Sequence, residues 1–111
     1  MHPSGIIYFY NLVIMTKAEI VTKISDDLGI EKSDVLATLE SFMREVKESL
    51  QSGNNVYLRG FGSFVIKTRA EKIGRNILKN TSIKIPAHNI PSFKPSKIFL
   101  EVVKRKVRVN N

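Results

Sequence analysis

The chain has 111 residues, no cysteine and a formal charge of +8. That is one domain's worth, with a core small enough that a partner subunit is a candidate for completing it. The missing cysteines exclude disulfides, zinc–thiolate sites and thiol nucleophiles, and fit a reducing compartment.

The charge is sorted along the chain. Residues 1–54 hold five basic and eight acidic side chains, a balance of −3, whereas residues 55–111 hold thirteen basic ones and only Glu71 and Glu101, a balance of +11. Solubility does not ask for such sorting, and it points to a polyanion met by the second half.

Residues 1–14, MHPSGIIYFYNLVI, carry no Lys, Arg, Asp or Glu. The apolar run over residues 6–15 is broken only by Asn11. It is about half the length that spans a bilayer, and it lacks the basic n-region and small-residue cleavage site of a signal peptide. MTKAEI, from Met15, looks like a fresh start, so residues 1–14 are read as an upstream extension, an over-called start; a membrane anchor is the lesser reading. Thr16 and Glu19 then fit a capping box, and Ile20, Val21, Ile24 and Leu28 form a helical stripe closed by Gly29. A second helix opens near Ser33, with Val35, Leu36, Leu39, Phe42, Met43, Val46 and Leu50 at helical spacing and Gly53 at its end. Its stripe is too broad for a lone helical hairpin, so it must pack on something else.

From Asn54 the period changes to two. NNVYLRGFGSFVIKTRA reads as short strands around a tight turn at Gly60 and Gly62. A second β segment, SIKIPAHNIPSF, holds Pro86 and Pro91, which suit edges or bends. Pro95 and Ser96 open a last helix with a basic end, KRKVR, suited to the negative helix terminus. The order is α-α-β-β-β-α. Between the two β segments lies RAEKIGRNILKN, the distal part of a long β-ribbon, with Ile77 and Leu78 among Arg69, Lys72, Arg75 and Lys79. A domain of this size has no core reaching that far, so the aliphatic pair has no protein surface to bury against.

RGFGSF (59–64), RAEKIGRN (69–76) and IPSFKPSK (90–97) together resemble the bacterial histone-like HU and integration host factor family, over residues 15–111 without a gap. The resemblance implies an α+β fold: a two-helix base, a three-stranded antiparallel sheet with a long β-ribbon arm, and a C-terminal helix, in an intertwined dimer. It implies a homodimer or a heterodimer with a paralogous subunit, double-stranded DNA as partner, arms in the minor groove, and bending or condensation of the DNA in a bacterial nucleoid. Minor-groove binding with apolar wedges is a known property of HU and integration host factor. By family pattern Phe61, Phe64 and Phe93 are dimer core. Where the family usually has a wedge proline after GRN, this chain has Ile77, and where it tends to have glycine three residues on, Asn80. Isoleucine is among the residue types that unstack base steps, and asparagine tolerates a left-handed turn. RGFGSF and FKPSK lean toward the β-subunit pattern of integration host factor.

The expected DNA-binding set is Arg59, Lys67, Arg69, Lys72, Arg75, Asn76, Ile77, Lys79, Lys84, Lys94 and Lys97, with Ile77 as wedge. Arg75 is the strongest of these, since narrow minor grooves attract arginine. Asn76 either reads groove acceptors or caps the turn, and Lys17 is equally a backbone contact or a surface lysine. No catalytic residue, metal, cofactor or small-molecule substrate is expected, because Glu71 and Glu101 alone cannot build a two-metal carboxylate cluster in the basic half. His2 and His88 lack metal-ligand spacing. The alternative is a basic RNA- or ribosome-associated protein, disfavoured by the absence of stacking aromatics on the basic face.

Overall fold

The computed structural model describes residues 8–9 and 12–109. Its elements are β1 (Tyr8–Phe9), β2 (Leu12–Val13), α1 (Lys17–Leu28), α2 (Lys32–Gln51), β3 (Val56–Leu58), β4 (Gly62–Arg69), β5 (Lys72–Asn76), β6 (Thr81–Ile85), β7 (His88–Pro95) and α3 (Lys97–Lys106). Most of residues 1–14, and with it the reading of that segment, lies outside the described residues; β1 pairs antiparallel with β2, Tyr8 opposite Val13.

The chain divides into two units, Met1–Arg44 and Glu45–Asn111. In the first, Thr16 and Glu19 form the reciprocal capping box, and α1 stops at Gly29, whose left-handed backbone (φ 70°) returns its N–H to the Ser25 carbonyl. Val21 and Val35 are buried. Ile24, Leu28, Ile30, Val35, Leu39 and Phe42 line an apolar groove that stays open in the single chain.

In the second unit α2 ends with the Asn54 N–H and carbonyl both held by Ser49. The sheet has the order β3-β4-β7, all antiparallel. Phe61 N–H donates to the Leu58 carbonyl, and Gly60 takes φ 83° at the third turn position, which a type II turn requires. Gly62 serves a different need. A Cβ there would come within 2.6 Å of the Lys94 carbonyl and of the Phe93 ring, so only glycine lets that ring lie over β4. Alternation then splits the sheet: Val56, Leu58, Gly62, Phe64, Ile66, Phe93 and Pro95 share one face, and Tyr57, Ser63, Val65, Lys67, Arg69 and Lys94 the other.

Pro91 sits on the edge strand β7. Pro86 sits where the ladder breaks. Arg69 pairs with His88 and Lys72 with Ile85, so two residues per strand are skipped and the register continues without a bulge. Proline has no N–H for the missing rung, and the His88 Nδ1–H donates to the Pro86 carbonyl at 3.0 Å. The long ribbon is thus two ladders in one register. Pro95 belongs to β7, opposite Gly62, and does not open α3; Ser96 is the N-cap, its hydroxyl accepting from Phe99 N–H.

Candidate nucleic-acid interface

Lys67 and Arg69 on β4 share the outer sheet face with Lys94 and His88 on β7. The unbroken register carries that parity into the arm, where Arg75 faces Ser82 and Ile73 faces Lys84. Arg75 and Lys84 therefore continue the row begun by Lys94, Lys67 and Arg69. Lys72 does not: it pairs with Ile85 on the other side, over Gly74. Glu71 lies 3.7 Å from Lys84, an exposed pair of little energetic weight. Arg59 occupies the β3–β4 turn. Ser96 hydroxyl donates to the Gly60 carbonyl at 3.0 Å and its N–H to the Phe61 carbonyl, tying that turn to the helix start that carries Lys97. All the expected basic residues are exposed.

The tip is more organised than its exposure suggests. Ile77 is 88% and Leu78 98% exposed. Asn76 Oδ1 accepts from the N–H groups of Leu78 (3.1 Å) and Lys79 (3.3 Å), so the side chain caps the turn, one of the two roles open to it from sequence. Asn80 adopts φ 54°, the one positive value outside glycine among the described residues. Its Oδ1 accepts from Arg75 Nη2 at 2.7 Å.

Three placements differ from expectation or extend it. Phe61, Phe64 and Phe93 do pack together, with ring centres 5.1 Å apart for Phe61–Phe93 and for Phe64–Phe93, and Phe99 joins 5.7 Å from Phe61. They do not form a closed core in one chain: Phe61 is 47% and Phe93 38% exposed, because their outer sides meet nothing. Lys17 is engaged, its ammonium 2.6 Å from Glu40 on α2. That hydrogen bond, and then the Lys17 and Arg44 charges, hold the Glu40 carboxyl below its ordinary value. The expected absence of an aromatic on the basic face is not met: Tyr57 lies opposite Ser63 on that outer face, largely exposed. Its alternation with Val56 and Leu58 is the signal that could have found it.

Comparison with known proteins agrees with this geometry. Residues 15–104 match the family described as bacterial DNA-binding protein. The SPbeta prophage-derived DNA-binding protein HU 2 of Bacillus subtilis is 36% identical over 92 residues, 83% of this chain and 100% of its own length. The integration host factor subunit alpha of Aliivibrio fischeri is also 36% identical, over 97 residues, 87% of this chain and 93% of its own. Among solved structures, Anabaena HU in a cocrystal with DNA superposes with a TM-score of 0.77 at 35% identity, covering 80% of this chain and 97% of that one. The chain belongs to the bacterial DNA-binding protein family of HU and the integration host factor subunits.

Proposed function

We propose that this chain is an architectural DNA-binding protein that grips duplex DNA between the arms of a dimer, sets Ile77 into the minor groove as a wedge, and bends or compacts the duplex. The observation that carries the reading is the aliphatic pair at the end of a basic ribbon, with no protein surface to meet, on a fold that superposes on HU crystallised with DNA. Lys67, Arg69, Arg75, Lys84 and Lys94 supply phosphate and groove contacts along one row. Arg59 and Lys97 extend it at the base, Lys79 lies in the tip, and Lys72 meets phosphates from the other side of the arm. Asn76 acts first as the tip's cap.

Dimerisation is supported by the thin core: among the described residues the buried hydrophobic side chains are Val21, Val35 and Val46. A chain this short leaves much of its apolar surface uncovered unless a second subunit meets it. Phe61, Phe64 and Phe93 are the ring cluster that subunit covers. Residues 15–111 are the DNA-binding domain and residues 1–14 an extension of it. The role is binding without covalent chemistry, in the nucleoid of a bacterial cytoplasm. Among the described residues there is no group of three or more potential metal ligands, and no described helix is long and apolar enough to cross a membrane. Nothing in the comparisons favours the RNA- or ribosome-associated alternative.

The test is a short duplex carrying a donor and an acceptor dye at its ends, titrated at several salt concentrations. Salt-sensitive binding with a rise in energy transfer is expected. Binding without that rise leaves a basic coating protein and removes the bending role.

A further inference from the structure

His88 opens β7 at the foot of the arm, exposed, on the outer face opposite Arg69. The charged groups around it on that face are Arg69 and Lys67 on β4, Glu71 between β4 and β5, and Lys84 on β6. Glu71 is itself faced by Lys84 at 3.7 Å. The imidazole already has one task. Its Nδ1 lies 3.0 Å from the Pro86 carbonyl, where the ladder breaks. A carbonyl only accepts, so Nδ1 carries the hydrogen. In the neutral ring that leaves Nε2 with a lone pair and no proton to offer a phosphate.

Histidine is the side chain that gains its charge between about pH 8 and pH 5. In the cation both ring nitrogens carry hydrogen, so the bond to Pro86 survives protonation and the ring has no need to turn. What changes is the charge, which is spread over the whole ring and does not depend on where one nitrogen aims. It appears within the row of Lys94, Lys67, Arg69, Lys84 and Arg75. Resting on the DNA-binding reading above, we propose that His88 is a further phosphate-binding residue at the root of the arm, whose imidazolium makes the chain hold duplex DNA more tightly as pH falls. A phosphate strand along the row favours imidazolium over imidazole, and by linkage the imidazolium favours the strand by the same factor. A His88 that served only to hold Pro86 would do so in either charge state and would leave DNA affinity indifferent to pH.

The test is equilibrium binding of the full chain to one short duplex at about pH 5.5 and about pH 8, each across a salt series. Affinity is expected to be about tenfold higher at the lower pH, with the slope of log affinity against log salt steeper by about 0.9 for each histidine that meets a phosphate. His88→Asn places an amide nitrogen where Nδ1 stood, so it keeps a donor for Pro86 and cannot titrate. It is expected to bind like the unaltered chain at the higher pH, and its ratio between the two pH values to shrink to about twofold or less. His88→Lys carries its charge throughout and is expected to bind tightly at both. His2 and the terminal amine are the same in all three chains, so their contribution cancels in the comparison. Equal affinity of the unaltered chain at the two pH values, or an undiminished ratio in His88→Asn, overturns the inference while leaving DNA binding intact. A chain that binds the duplex at neither pH removes the DNA-binding reading and the role of His88 with it.

Discussion

The phenylalanine cluster at the base of the ribbon and the aliphatic pair at its tip both leave large apolar surface uncovered, for opposite reasons. At the base, Phe61 and Phe93 touch each other, Phe64 and Phe99, so the exposed ring faces continue a packed apolar layer. Their natural complement is another such layer. At the tip, the neighbours of Ile77 and Leu78 are Arg75, Asn76, Lys79 and Asn80, and no apolar layer continues. The complement of that surface is something apolar inside and anionic at its rim, as a base stack between phosphate strands is. An exposed hydrophobic residue thus acquires meaning from what surrounds it.

The contrast can be broken most sharply at the base. Phe61→Ala should weaken the dimer by about 3–5 kcal/mol if a second subunit covers the ring. Sedimentation across a concentration series would show this, and a mutant that stays dimeric when dilute would return Phe61 to the free surface. Gly62→Ala should cost about 1–3 kcal/mol in urea unfolding, because its new methyl group meets the Lys94 carbonyl and the Phe93 ring at 2.6 Å. Ile77→Ala should change folding stability by less than about 0.5 kcal/mol. It should nonetheless lower DNA bending, read by end-to-end energy transfer, more than it lowers affinity; full bending by the mutant would deny Ile77 the wedge. Arg75→Ala should reduce the slope of log affinity against log salt by about one per arm, and an unaltered slope would remove Arg75 from the phosphate contacts.

The smallest effect belongs to the Lys17–Glu40 pair. Glu40 titrates below its ordinary value in the folded chain. The pair's contribution is therefore complete above the ordinary carboxylate range and is lost as pH falls through the depressed value. Glu40→Gln should flatten that acid limb of the melting-temperature profile, and an identical limb in the mutant would dissolve the pairing.

What could be read from sequence was local. The Thr16–Glu19 capping box, Gly29 as a helix stop, the turn at Gly60 and the Ser96 cap each lie within a few residues of the groups they satisfy. The basic row was legible as composition and its arm as a ribbon. What escaped depends on pairing across the chain. Pro86 announced a bend, but only the partners of Arg69 and Lys72 show that the register survives it. Lys17 looked free because Glu40 is 23 residues away in sequence. The family resemblance implies that Phe61 and Phe93 are dimer core, whereas the pattern of apolar positions alone does not say whose core. Tyr57 shares the period-two alternation of its segment, but which parity faces outward is set by its pairing with Ser63. Asn76 carried both of its roles in its side chain, and the geometry of residues 78 and 79 assigned one.

The break at Pro86 bears on how long the protein survives. Because β5 and β6 share no rungs with β4 and β7, the arm opens by losing its own hydrogen bonds alone, while the sheet below stays closed. Its amides exchange with solvent through that local opening, at a small fraction of the free energy of global unfolding. Each opening exposes Lys72, Arg75, Lys79 and Lys84 as cleavage points for proteases that cut after basic residues. A duplex held by those side chains, as proposed above, would close the arm and shield them together. Free copies would then be cut from the arm inward and bound copies spared.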